Sequence, residues 1–378
     1  MTMADLKGIP ALFMRGGTSS GPYWNARDLP ADPTRRDAVL LAALGTTDGL
    51  SDEVDSSQLS GVGGATPVTS KTAILSRSDA PGVDVDYLFG QVDLNRAFVD
   101  TNPSCGNILS AVGHAALEMG LVAAGDPETR ITIRNTNTGS LMEAVLQTPG
   151  GRWSYLGDAR IDGVAGTAAP VLMNFLDVVG SKTGKMFPTG QRSEDIDGLT
   201  VSLIDVAVPM IWFRAAELGL TGNEDQATLN APDLLARMEA ARLIASERMG
   251  LGDARGKVVP KMGIASPPHS GGHVTSRYFV PQECHPTHAV TGSINVAVAA
   301  TQPGTVVAEA STADPLRSQP FVLEHPMGQI EVALSYRDGD PSKGEDAGPV
   351  FDRAGVIRTA KKIMAGEIFV PAQLLDPD

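Results

Sequence analysis

The feature that most constrains this chain is a short motif that occurs twice. In each half, strand-like segments lead to a turn made of a small reactive or polar residue, Gly and a second polar residue, and that turn opens an apolar helix. The first copy is Cys105-Gly106-Asn107 ahead of Ile108; the second is Thr291-Gly292-Ser293 ahead of Ile294. Two such copies in 378 residues predict a pseudo-symmetric pair of α/β domains with a cleft between them. The polar, Gly-rich stretch Gly180–Asp197 is the compositional break. It predicts an N-terminal domain over 1–187 and a C-terminal domain over 188–354, with residues 355–378 packing back on the first as a closing helix.

Periodicity fills in the elements. Ile9–Met14 reads as a strand entering the Gly turn at Arg15–Thr18, and Arg35–Leu44 after Asp32-Pro33 reads as a helix. Thr72–Leu75, Val85–Val92, Arg130–Arg134 and Ser140–Gln147 read as strands, with a loop over Ser51–Gly64. Asn107–Val122 carries its apolar residues on one stripe and predicts a single helix ended by Gly120. In the second half, Leu199–Val206, Met210–Phe213, Met262–Ala265 and Arg277–Pro281 read as strands and Ala231–Met249 as a helix. Pro320–Glu324 and Gln329–Ser335 form a hairpin around Met327-Gly328, and Gly355–Ala365 reads as a basic helix.

Composition excludes several functions. With 30 Lys+Arg against 44 Asp+Glu the net charge is −14. That argues against nucleic acid, whose binding needs a basic face, and against an anionic membrane surface. It leaves open a small anionic substrate met by a local cluster of donors. No 18-residue apolar run predicts a membrane span. The start lacks a basic segment followed by a long apolar one, and there are only two cysteines, so the reading is cytoplasmic with no disulfide framework. There is no GxGxxG, G-x-S-x-G, HExxH or Walker A pattern. Cys284-His285-Pro286-Thr287-His288 lacks the spacing of a zinc site, so no metal is expected.

Three places could carry chemistry. Cys105 at a helix start sits beside free main-chain N–H groups of Gly106 and Asn107, which favour a thiolate or a bound carboxylate; a lone Cys is also an ordinary small core residue. Gly63 and Gly64 form a Gly-rich loop whose N–H groups could approach an anion, followed by Ser70 and Lys71 at the inner end of a strand. A desolvated lysine there suits proton transfer, whereas a strand-end lysine commonly reaches solvent. Arg15, Gly17, Thr18 and Ser19 make a donor-rich turn. Lys261, Arg277 and Arg192 could add positive charge, and His285 and His288 could donate near the second helix start.

Taken together, these segments resemble the PrpF family. The likeness runs in order through Met14–Ser19, Gly63–Ala65, Thr69–Lys71, Asp84–Tyr87, Cys105–Leu109, Arg160–Gly163, Pro188–Gly190, Leu203–Ala207, Leu218–Glu224, Val259–Lys261, Ser266–Pro268, Cys284-His285 and Arg358–Ala360. The resemblance implies an α+β, diaminopimelate-epimerase-like fold, each domain a curved sheet around a central helix, and a cofactor-free isomerase. It implies Lys71 and Cys105 as the catalytic pair. The substrate-binding set is Arg15, Gly17, Thr18, Ser19, Gly63, Gly64, Ser70, Gly106, Asn107, Lys261, Arg277, His285, Thr291, Gly292, Ser293, Met327 and Gly328.

The family includes isomerases of 2-methylaconitate, methylitaconate and 4-oxalomesaconate. The Cys284–His288 and Leu218–Glu224 segments and the Gly271-Gly272 spacing look most like the oxalomesaconate branch, which acts in the breakdown of aromatic compounds. The implied partner is thus a small di- or tricarboxylate, with homodimerisation left open and a non-catalytic carboxylate binder as the alternative class. Thr291 stands where the wider fold has a second cysteine. Threonine has no accessible pKa for acid–base work, which disfavours a two-thiol mechanism. Ser20 replaces a lysine, an insertion lengthens Leu50–Ser60, and Thr101–Ser104 also departs from the expected pattern.

Overall fold

The computed structural model describes residues 5–54, 59–64, 66–176, 178–280, 282–338 and 349–375. The chain forms two compact units. The first holds Met1–Met173 and Arg358–Asp378; the second holds Asn174–Ile357. The sequence had set these breaks at 187/188 and 354/355.

In the first unit, β1 (Leu6–Gly16) and β2 (Ser19–Asn25) form an antiparallel hairpin. Helix α1 (Pro33–Leu44) follows as its local signals require: Asp32 Oδ1 accepts from Arg35 N at 2.9 Å, Pro33 takes the first turn, and Gly45 at φ 85° ends it. Next come β3 (Lys71–Arg77), β4 (Val85–Val92) and the short β5 (Val99–Asp100). Two buried helices, α2 (Gly106–Leu109) and α3 (Val112–Glu118), precede β6 (Glu128–Asn135) and β7 (Leu141–Gln147). The order is β1-β2-β3-β4-β6-β7. Trp24, Val39, Leu40, Leu44 and Ile74 form a core between α1 and the sheet. β8 (Pro170–Leu176) spans the break at Met173/Asn174.

The second unit repeats this grammar. After β9 (Glu194–Ile196), β10 (Leu199–Val206) and β11 (Val208–Arg214) form the hairpin. A short α4 (Gln226–Leu229) and the long α5 (Pro232–Arg248) then lead to β12 (Lys261–Ser266) and β13 (Val274–Phe279). Helix α6 (Val290–Ala300) is buried at all eleven residues and is followed by α7 (Val306–Ala310), β14 (Phe321–His325) and β15 (Gly328–Arg337). The pairings alternate identically in the two units. Antiparallel pairs β1/β2, β3/β4 and β6/β7 answer to β10/β11, β12/β13 and β14/β15. Parallel pairs β2/β3 and β4/β6 answer to β11/β12 and β13/β14. The parallel crossovers are bridged by helices in both units, as parallel pairing demands. The brief sequence repeat is thus the trace of a duplicated topology, and it makes Lys261, first in β12, the counterpart of Lys71, first in β3.

Three sequence expectations change. The helix over Asn107–Val122 is broken into α2 and α3 by a turn at Ser110-Ala111, where Ser110 Oγ donates to Asn107 O at 2.6 Å. The closing basic helix at Gly355–Ala365 is instead strand: β16 runs from Val350 to Pro371. β16 pairs with β1 from Leu6↔Pro371 to Gly16↔Ala360, with one bulge at Phe13/Met14. That ladder satisfies backbone groups over the length of β1, and tertiary pairing overrides the helical preference of Ala, Lys and Met. Finally, the second helix starts earlier than expected. Ala289 is the N-cap, so Thr291, Gly292 and Ser293 lie inside its first turn.

Candidate active site

Register builds the centre of the first unit. β3 and β4 pair Lys71 with Gln91 and Ala73 with Phe89. Alternation then puts Val85, Tyr87, Phe89 and Gln91 on one face of β4. Lys71 is half-buried; its Nζ donates to Gln91 Oε1 and stands 5.3 Å from the centre of the Phe89 ring. Burial holds this ammonium below the usual lysine pKa, and negative charge on Cys105 opposes that shift. An amine so placed exchanges a proton more readily than one in water.

Cys105 is the N-cap of α2, is partly exposed, and spends no side-chain bond on the helix start. The first N–H groups of such a helix have no intrahelical acceptor. Two buried phenols flank it. Tyr87 Oη donates to Cys105 O at 3.4 Å and Tyr23 Oη to Ile108 O at 2.6 Å. Burial first, and charge on Cys105 second, push both phenols well above their ordinary pKa, so they act as hydrogen-bond donors and not as bases.

The Arg15–Ser19 turn packs on the same helix start. Gly17 takes φ 51°, and a Cβ there would run into the Asn107 amide oxygen. Gly17 N donates to Thr359 O at 2.9 Å and Thr18 N to Asn107 Oδ1 at 3.4 Å. Arg15 Nη1 donates to Gly17 O at 2.7 Å and Thr359 O at 2.9 Å. Arg15 also lines a cleft of about 120 Å3 with Tyr155, Ile161, Thr359 and Lys361, which neither Lys71 nor Cys105 lines. Ser19 Oγ is buried with no hydrogen-bond partner among the described residues.

The Gly loop plays a different part from the one its composition suggested. Gly63 N donates to Leu44 O and Gly64 N to Thr69 O, both at 3.1 Å, and Ser70 Oγ donates to Gly64 O at 2.7 Å. These amides are committed to the chain, so the loop braces the entry to β3 and does not present donors to an anion.

In the second unit, Gly292 lies where a Cβ would meet the Tyr278 ring at 2.5 Å, so its bareness serves close packing. Thr291 is buried, and Ser293 Oγ donates to Val290 O at 2.8 Å within the helix. Arg277 is buried, its Nη1 donating to Ser276 O at 3.0 Å, while its Nε has no acceptor among the described residues. Burial lowers its pKa from the ordinary arginine value. His285 Nδ1 accepts from Thr287 N at 3.0 Å, and His288 Nε2 meets Ser276 Oγ at 2.9 Å. Cys284 lies in the core and burial pushes its thiol up to about 12. Lys261 is buried at the start of β12, whereas Met327, beside Gly328 in the β14–β15 turn, is exposed. Among the described residues no cluster of His, Cys, Asp and Glu could hold a metal ion, and no helix is long and apolar enough to cross a membrane.

Sequence reasoning missed Gln91, Phe89, Tyr87 and Tyr23. The signal for Gln91 was present: it is the polar member of an otherwise apolar and aromatic face of β4.

This fold recurs in a hydroxyproline epimerase from Agrobacterium vitis, matched at TM-score 0.53 and 15% identity over all of this chain and 95% of that one. The architecture is therefore that of the diaminopimelate-epimerase-like proteins. A crystal structure of methylitaconate-delta-isomerase matches at TM-score 0.80 and 34% identity over 99% of this chain and 98% of its own. The (4E)-oxalomesaconate Delta-isomerase of Novosphingobium sp. (strain KA1) is 44% identical over 367 residues, 97% of this chain and 98% of the relative. The model of the PrpF protein family matches residues 6–371. The chain belongs to the PrpF family and is an isomerase.

Proposed function

We propose that this isomerase moves a proton between two carbons of an unsaturated tricarboxylate such as 4-oxalomesaconate. The observation that carries the reading is Lys71: a half-buried amine, held below its ordinary pKa, electrostatically coupled to Cys105 at a helix start. The neutral amine takes an allylic proton; the C–H electron pair forms a new C=C bond, and the old C=C pair moves into a carboxylate-stabilised dienolate. The Lys71 ammonium then delivers a proton to the far carbon and returns to the amine; if the Cys105 thiol delivers it instead, the ammonium reprotonates the thiolate, and either way the 1,3-shift closes with both groups in their starting states. Cys105 is the partner acid or the thiol that orients the substrate. Carboxylates would be held by the N–H groups of Gly106 and Asn107 at the helix start and by the buried Ser19 hydroxyl, the Gly17 and Thr18 amides being committed to the chain.

The full-length likeness to the Novosphingobium relative supports oxalomesaconate as substrate. The likeness to methylitaconate-delta-isomerase supports the dicarboxylate as a second reading. A panel of unsaturated acids followed by the ultraviolet change of each conjugated system decides between them. Turnover of 4-oxalomesaconate at a kcat/KM above that of methylitaconate and 2-methylaconitate is expected. A preference for either of the others moves the assignment, and binding without turnover of any acid refutes the enzymatic reading.

A further inference from the structure

We propose that Gln91 is the positioning residue that aims Lys71 Nζ and sets its proton affinity, an inference resting on the reading of Lys71 as the proton-transfer group. The β3–β4 ladder places the two side chains opposite each other. The Gln91 amide is oriented unambiguously. Its Nε2 donates to Ser70 O at 2.8 Å, Pro67 O at 3.2 Å and Val92 O at 3.4 Å. An amide nitrogen among three carbonyls leaves the oxygen on the other side, and that oxygen accepts from Lys71 Nζ.

A primary amine on a four-carbon stem has many rotamers. Here one acceptor and one aromatic face define where its nitrogen sits, with Phe89 at 5.3 Å. Both contacts favour the ammonium, and burial favours the amine. Among the described residues, Cys105 at the N-cap of α2 is the titratable group that acts on Lys71; β4 contributes Gln91 and Phe89, neither of which titrates, and β2 contributes Gly21, against the Lys71 main chain. Gln91 is thus the neutral contact through which the lysine's proton affinity can be tuned without adding a charge. The same amide also ties down the 67–70 segment before β3, which is the merely structural role it must be separated from.

Two variants separate them because they push in opposite directions. Gln91→Met keeps the chain length and removes the acceptor. Losing a bond to a charged group lowers the Lys71 pKa by about one pH unit. Gln91→Glu places a carboxylate there and raises it by about one unit or more. The readout is the pH dependence of trace acetylation of Lys71 by acetic anhydride, quantified by mass spectrometry on the substrate-free protein. It runs beside the pH–kcat profile and a thermal melt. Opposite shifts in labelling, mirrored in kcat with KM little changed, are expected. Unshifted labelling, or shifts of the same sign, would overturn the proposal. If one variant fails to fold, the sign given by the other still decides. Should Lys71→Ala isomerise normally, the functional reading fails on its own, while labelling of Lys71 still reports on Gln91.

Discussion

Gly16 lies where β1 meets the start of α2, and Gly16→Ala tests whether that contact positions the site. A Cβ at Gly16 would lie 2.5 Å from Asn107 O, 2.9 Å from Tyr23 Oη and 3.0 Å from Ile108 O. Two of these are main-chain atoms of α2, so relief requires the helix to move. The backbone at Gly16 is not left-handed, so no conformational penalty enters. Overpacking of this kind costs about 1–3 kcal/mol. Moving Ile108 O also strands the buried Tyr23 hydroxyl, at about 1–3 kcal/mol. The expected loss is thus about 2–6 kcal/mol. Gly366→Ala is the control on β16, because a Cβ there meets nothing within 4 Å. It should leave stability unchanged or raise it by up to about 1 kcal/mol by restricting the unfolded chain. Urea unfolding measures both. Activity adds a second reading, since Cys105 caps α2 and moves with it; a displacement of about 1 Å costs on the order of 100-fold in rate. If Gly16→Ala matched Gly366→Ala in both midpoint and kcat, the packing argument would be wrong.

Thiol reagents should tell the two cysteines apart: native protein is modified at the partly exposed Cys105, while Cys284, buried with its thiol near 12, reacts only on unfolding. Peptide mapping after labelling checks this, and modification of Cys284 in folded protein would contradict it. His114 supplies a pH dependence. Burial lowers its pKa from 6.5 to about 4, so between those values the unfolded chain holds a proton the folded chain lacks. The His114 contribution should fall as pH drops through that window, by about 3 kcal/mol in all. His114→Phe, which keeps an aromatic ring against Tyr155, should flatten that part of the urea-midpoint profile; an unchanged slope would refute the assignment.

What the sequence revealed and what it hid divide by range. Helix α1 was legible because Asp32, Pro33 and Gly45 act within one turn of its ends. Cys105 was legible as a helix start because Gly106 and Asn107 adjoin it. β16 was not, since its conformation is imposed by β1, more than 300 residues away in sequence, a pairing that local propensity does not encode. Gln91 was hidden for the same reason: its meaning comes from the residue opposite it on another strand. The Gly63–Gly64 loop misled because composition tells that N–H groups are accessible to close approach, and only the folded chain tells that Leu44 and Thr69 have already taken them. The duplicated topology was visible as two three-residue turns, although the second lies inside α6, whose helix begins at Val290.

The central claim is that Lys71 moves the proton. Incubating the substrate acid with enzyme in heavy water, and following label at the allylic carbon by NMR, tests it most directly. The wild-type protein should exchange that position at or above the rate of isomerisation. Lys71→Ala should lose both by about 100-fold or more while keeping its fold by circular dichroism. A folded Lys71→Ala protein that exchanges and isomerises at the wild-type rate would contradict the account.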